Sequence, residues 1–148
     1  MKISTKGRYA LAAMISLAQQ ESIPGVETLA ALSGRLGLSK LYLEQVFSLL
    51  RRAELVLSVK GAQGGYRLAR SARDISGWDI LSAAENGLFD LAEATVAESS
   101  PGIERAMRDG LFEPLDLAAQ TALAAVSLYD LAEEASRPAA DDGYIYII

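Results

Sequence analysis

At 148 residues and 51% hydrophobic content, the chain can bury the core of one compact domain, or of a small domain with an appendage, so disorder is not its default state. It has no Cys and no His, which excludes disulfides, thiolate or imidazole metal sites, and Cys- or His-based nucleophilic catalysis. The formal net charge of −5 would argue against a polyanion partner if it were evenly spread, but residues 1–73 carry 11 Lys or Arg against 4 acids, and residues 74–148 carry 3 Arg against 15 acids.

A basic first half can meet phosphate, and an acidic second half stays clear of it. The start, Met1 to Lys6, lacks an apolar signal core, and no run approaches the roughly 18 to 20 apolar residues of a membrane-spanning helix. A cytoplasmic protein with no membrane partner is expected.

Ser4 or Thr5 can cap a first helix whose apolar positions Ala10, Ala13, Met14, Leu17 and Ala18 share one face. Lys2, Lys6 and Arg8 cluster at its start, where free N–H groups already favour an anion; they are candidate phosphate contacts or, alternatively, a solvated charged face. Ser22-Ile23-Pro24-Gly25 breaks the pattern, and a short second helix is predicted from about Glu27 to Arg35, with Leu29, Leu32 and Leu36 apolar. Gly37 turns the chain into a third helix opened by Ser39. Two helices joined by a short turn containing Gly form the helix-turn-helix signature, in which the second helix enters the major groove.

That helix, about Lys40 to Arg52, has its inward seam at Leu43, Val46, Phe47 and Leu50. The opposite face is Leu41, Gln45, Ser48 and Arg52, flanked by Tyr42, Glu44 and Arg51. Gln45 can pair an adenine edge, Glu44 can accept from cytosine, and Leu41 can pack on a thymine methyl; the alternative is an ordinary polar helix face. After a turn near Ala53 and Glu54, two strands are predicted, Leu55 to Lys60 and Tyr66 to Arg70, joined by Gly61-Ala62-Gln63-Gly64-Gly65. The glycines permit close backbone approach to a sugar-phosphate backbone, and Lys60 and Arg67 flank the tip. Helix, turn and hairpin together read as a winged helix.

Ser76 and Asp79 stand at capping-box positions for a fourth helix, with Gly87 as its stop and Trp78 and Leu81 inward. Residues 88–100 are acidic and rich in small side chains. A helical stretch is predicted from Gly102 to about Arg108, and Phe112-Glu113-Pro114 then opens a longer helix carrying Leu115, Ala118, Ala119, Ala122, Leu123 and Val126 at helical spacing. Its small-residue stripe fits core packing or a subunit interface. Ser127 to Asp130 forms a second capping box and begins a last helix to about Ala135. Pro138 to Gly143 reads as a linker to the apolar end, Tyr144 to Ile148, which needs burial on the body of the protein or in a partner.

The motif S-x-x-Y-L-E-Q (Ser39, Tyr42 to Gln45), followed by L-V-x-S-x-K-G-x-x-G-G-Y-x-L (Leu55 to Leu68), closely resembles the Rrf-type winged-helix regulators, the family of IscR, NsrR and CymR. The opening M-K-I-S-T-K-G-R-Y-A, Asp79-Ile80 and Leu128 to Ala132 match as well, so the resemblance covers nearly the whole chain. It implies a homodimer on a partly palindromic double-stranded operator, with the recognition helix in the major groove, the wing near the minor groove and a long helix crossing between subunits. By position it assigns Ser39, Tyr42, Glu44 and Gln45 to the recognition helix, where Lys40, Leu41, Ser48, Arg51 and Arg52 are further candidate contacts. Lys60, Gly61, Gly64, Gly65 and Tyr66 fall to the wing, with Gln63 and Arg67 as further candidates there. The dimerising helix would be the Phe112 to Val126 stretch, with Leu115, Ala118, Ala119, Ala122, Leu123 and Val126 as candidate contacts and residues near Leu128 swapping across.

Many members of the family hold an iron-sulfur cluster through three cysteines in the region that here is Leu88 to Leu111. The sequence has none there, so the resemblance is strongest to the cluster-free CymR branch, which represses cysteine and sulfur-assimilation genes and works with cysteine synthase (O-acetylserine sulfhydrylase). Cysteine synthase accepts partner chains ending in isoleucine, which makes Tyr146, Ile147 and Ile148 a candidate partner tail.

The expected fold is mainly α with a small β-hairpin wing: a winged helix-turn-helix domain at 1–73, a helical dimerisation region at 74–136 and a tail at 137–148. The expected function is a dimeric DNA-binding repressor of cysteine metabolism with no cofactor. Its rivals are a winged-helix association module without DNA binding, and a regulator of unrelated genes that responds to a small molecule. No pairing of nucleophile and base suggests an enzyme.

Overall fold

The computed structural model describes residues 1–20, 26–62 and 64–139. Gln63 and the candidate tail residues Tyr146, Ile147 and Ile148 lie outside them.

Helix α1 (Thr5–Gln19) starts where the Ser4 hydroxyl accepts the Gly7 N–H at 3.0 Å, and it buries Ala10, Ala13, Met14 and Leu17. Small side chains on that face bring its backbone close to its neighbours. Helix α2 (Leu29–Leu36) is capped by Thr28 and ends at Gly37, whose φ of 66° suits a residue without a Cβ. It begins later than the sequence pattern predicts because Glu27 is claimed by a strand: its N–H donates to the Tyr66 carbonyl at 2.9 Å, and its carbonyl accepts the Tyr66 N–H at 2.8 Å.

Helix α3 (Lys40–Arg52) is capped by Ser39 and buries the predicted seam, with Leu43, Val46, Phe47 and Leu50 fully enclosed. Strands β1 (Val56–Val59) and β2 (Gly65–Leu68) pair antiparallel, with Val56 opposite Leu68 and Val59 opposite Gly65. They are shorter than predicted at both outer ends. Leu55 turns into the core, and the Arg70 side chain ties down the base of the hairpin through the carbonyls of Asp74 (3.1 Å) and Glu54 (3.3 Å) and the Asp79 carboxylate (3.4 Å).

After a 3₁₀ turn (Ala72–Asp74), helix α4 (Gly77–Ala84) carries the predicted capping box between Ser76 and Asp79. It stops short of Gly87 because Glu85 already has extended backbone, with ψ of 144°. Leu81 is buried as expected, whereas Trp78 is half-buried and packs on Phe89 with centroids 4.6 Å apart.

The two predicted helical stretches are both present, and a π-turn joins them. Helix α5 (Pro101–Met107), a π-turn (Arg108–Phe112) and helix α6 (Glu113–Ala124) continue into one another with helical backbone angles. The 24 residues span about 36 Å at a rise of roughly 1.5 Å each. Pro114 sits inside this helix; its ring would crowd the Gly110 carbonyl and it has no N–H to return, and the widened turn before it, closed by Glu113 N–H to the Arg108 carbonyl, accommodates both. Helix α7 (Leu128–Ala135) opens on the second capping box, Ser127 with Asp130; the Ser127 N–H and then its hydroxyl hold the Asp130 carboxyl below its ordinary pKa.

The core crosses position 73. Helices α1, α3, α4 and α7 enclose one cluster that includes Ala10, Met14, Phe47, Ile75, Ile80 and Leu128. A short bridge between Ser76 and Ser127 ties the starts of α4 and α7, with Leu128 N–H to the Ile75 carbonyl at 2.7 Å. Helix α6 rests on α4 but buries none of its own residues.

Candidate nucleic-acid interface

With one side of α3 consumed by the core, helical geometry forces the other outward. Leu41, Glu44, Gln45, Ser48, Arg51 and Arg52 are all exposed, Leu41 at 69%. Lys6, from the first turn of α1, borders the same open depression of about 440 Å³ as Leu41, Glu44, Gln45 and Ser48. A cation, a side-chain amide and an apolar side chain therefore share one concave surface, the mixture needed to hold a phosphate beside a base edge. Ser39 and Lys40 are exposed at the mouth of α3; the Ser39 hydroxyl accepts the Tyr42 N–H at 3.3 Å and keeps its own proton for donation. Tyr42 is half-buried, edge-on to Tyr9 at 4.9 Å, so its ring belongs to the α1–α3 contact.

The start of α1 is held by a contact that no local pattern signals. Glu85, beyond the end of α4, accepts both the Ser4 N–H (2.8 Å) and the Ser4 hydroxyl (2.9 Å) through one carboxylate oxygen. A Cβ on Gly7 would collide with that oxygen, which explains why glycine occupies the first turn. Lys2, Lys6 and Arg8 are exposed around this anchored terminus, with Arg8 Nη2 donating to Thr5 Oγ1 at 3.2 Å.

On the wing, Lys60 and Arg67 are exposed, and Gly61 is exposed with φ of 115°. Gly64, Gly65 and Tyr66 have internal tasks. The Tyr66 ring lies 4.6 Å from that of Phe47, and any side chain at Gly65 would meet the Glu27 backbone, while one at Gly64 would meet the Val59 carbonyl. Gly64 and Gly65 thus admit the protein's own backbone, while Gly61 faces open space.

The cations sort into two groups. Arg35 pairs with Glu27 at 3.4 Å and reaches Ser16, Arg70 staples the hairpin, and Arg73 lies 3.7 Å over the Tyr129 ring. Lys2, Lys6, Arg8, Lys40, Arg51, Arg52, Lys60 and Arg67 make no salt bridge among the described residues. The second group holds the candidate phosphate contacts.

Of the predicted dimerisation residues, Leu115, Ala118, Ala122 and Val126 are exposed and Ala119 and Leu123 half-buried. Leu128 has no accessible surface and belongs to the core cluster of the single chain. Ile103, Leu111 and Leu117, which the sequence pattern did not single out, add exposed apolar surface along the same long helix. In the region 88–111 the donors are carboxylates and hydroxyls. The Glu104 carboxylate is turned to the loop, accepting the amides of Thr95 and Val96, and no group of three acidic residues able to hold a metal occurs among the described residues. A cysteine-ligated cluster does not fit these side chains.

The sequence pattern of the Rrf2 family, described as an iron-dependent transcriptional regulator, matches residues 3–134. The HTH-type transcriptional regulator IscR of Cereibacter sphaeroides is 39% identical over 143 residues, 93% of this chain and 91% of the relative. Among solved structures, the global cysteine regulator CymR of B. subtilis superposes with a TM-score of 0.73 at 35% identity, covering 90% of this chain and 98% of that one. IscR of T. potens superposes with a TM-score of 0.71 at 37% identity, covering 92% and 89%.

Proposed function

The chain belongs to the Rrf2 family of winged-helix, DNA-binding transcriptional regulators, which are not enzymes, and from that premise we propose that it acts as a homodimer repressing genes of cysteine and sulfur metabolism. Two copies of α3 would enter successive major grooves of a partly palindromic operator, with Gln45, Glu44 and Leu41 reading base edges and Ser39, Lys40, Ser48, Arg51 and Arg52 at the backbone. Lys2, Lys6 and Arg8 would hold phosphates beside α3, and Lys60 and Arg67 would do so from the wing.

The observation that carries this reading is the shared depression in which Lys6 meets the outward face of α3. The exposed Leu111, Leu115, Ala118 and Ala122 support the long helix as the seam between copies, since an apolar helical surface of this extent calls for a partner. The sulfur assignment rests on likeness to CymR together with the absence of any Cys in the sequence, which leaves an iron-sulfur cluster without thiolate ligands. No helix among the described residues is long and apolar enough to cross a membrane.

A mobility-shift titration with the duplex upstream of the chain's own gene and of sulfur-assimilation genes tests the reading. Retarded duplex, lost when Gln45 becomes Ala, is the expected result; no retardation of any sulfur-gene duplex would remove the sulfur assignment. Control through cysteine synthase extends the proposal. O-acetylserine sulfhydrylase should be retained by the immobilised chain and released when residues 146–148 are removed; retention by neither form argues against that partner.

A further inference from the structure

Between the loop that follows α4 and the long helix lies a partly enclosed cavity of about 180 Å³. Its apolar wall comes from Leu91, Ala92, Ala94 and Ala97 on the loop and Phe112 on the helix. Such small side chains leave room that larger residues would fill.

Glu104, which lines the cavity, is only 8% exposed, an unusual burial for a carboxylate. One of its oxygens, Oε2, accepts the amides of Thr95 at 3.0 Å and Val96 at 2.8 Å. The other takes no donor from the described residues. It is not sealed in, because no buried side-chain oxygen among them is left without a partner. Glu104 thus lines an apolar cavity, and one of its oxygens keeps accessible surface and takes no donor among the described residues.

The π-turn borders the same space, and its first and last residues, Arg108 and Phe112, both line the cavity. Arg108 is already committed: its Nε lies 2.9 Å from Asp109 and 3.7 Å from Glu113. Glu104, Glu113 and Asp116 around the cavity thus outnumber its one cation, which is itself paired. The field inside favours positive charge, while the alanines and Phe112 favour hydrocarbon.

We propose that this cavity binds a small organic cation: a primary ammonium group on the free oxygen of Glu104, carrying a short apolar chain against Ala92, Ala97 and Phe112. An apolar cavity of roughly 150 Å³ accepts benzene, which sets the ligand at about five to seven heavy atoms. A bare metal ion would leave the apolar wall unused. The proposal stands on the cavity's geometry and does not depend on how the chain reads DNA.

Calorimetric titration of the full chain with n-butylamine, butan-1-ol and butyrate tests charge and shape separately. Saturable binding of the amine, at least about tenfold tighter than the alcohol or the acid, is expected. Glu104→Gln keeps a carbonyl oxygen for the Thr95 and Val96 amides but turns an NH₂ toward the cavity. It should weaken the amine about tenfold or more while the chain remains folded. Equal affinity for the three probes, no saturable amine binding, or an unchanged amine affinity in the variant would each overturn the proposal. If that variant fails to fold, Asp116→Asn takes its place: weaker amine binding supports the assignment, and an unchanged affinity contradicts it.

Discussion

Gln45 is exposed on α3 with its amide free to make the paired donor and acceptor contacts that an adenine edge presents. Truncating it to Ala should cost about 1–3 kcal/mol on the preferred duplex and almost nothing on a scrambled one, which anisotropy titrations of both duplexes would read. Glu85 acts at one remove. By accepting two hydrogen bonds from Ser4 it fixes the terminus from which Lys2, Lys6 and Arg8 project. Glu85→Ala should lower stability by about 1–3 kcal/mol, as expected for loss of hydrogen bonds to a charged group, and should weaken all duplexes alike. Glu85→Gln, which still offers an acceptor, should recover most of that binding; failure to do so would mean that the carboxylate's charge matters more than its placement of Ser4. The recognition-helix face could be read from the sequence because helical spacing alone separates Gln45 from Phe47. The Ser4–Glu85 contact could not, since it joins positions 81 residues apart and neither side carries a pattern.

At the scale of elements, helix caps and buried seams were legible because they are local: Ser4, Ser39, Ser76 and Ser127 each accept a backbone N–H within the next turn. Pro114 marked the start of α6 for the same local reason, whereas the π-turn that joins α5 to α6 carries no sequence signal of its own. The backbone bridge from Glu27 to Tyr66, which also leaves no room for a side chain at Gly65, was not legible because its two sides lie far apart in sequence. Two glycine substitutions expose the difference. Gly65→Ala drives a methyl into the Glu27 backbone and should destabilise the chain by about 1–3 kcal/mol. Gly34→Ala, inside α2 with nothing within 4 Å of the added atom, should stabilise it by about 0.5–1 kcal/mol. Thermal unfolding of both variants checks the pair, and a similar loss in each would contradict the packing of Glu27 on β2.

For the whole molecule, the long helix and the charge division set the expectations. Leu115 is 56% exposed on α6, and Leu115→Asp should shift the chain toward monomer in sedimentation velocity while leaving its helical content unchanged, because the core does not use that side chain. The separation of cations into paired and unpaired groups implies a further division of labour. Removing Lys60 or Arg67 should lower affinity uniformly across sequences and reduce the salt slope by about one each, whereas changing Gln45 should leave the slope alone. The central claim, that the outward face of α3 reads sequence while the unpaired cations around it hold phosphates, is tested most directly by measuring log affinity against log salt for the wild type and Gln45→Ala on the chain's own upstream duplex. The expected result is two steep, parallel lines, each falling by at least about tenfold between roughly 50 and 200 mM salt, with the variant displaced to weaker binding. A flat line for the wild type, or superimposed lines for the two proteins, would contradict it.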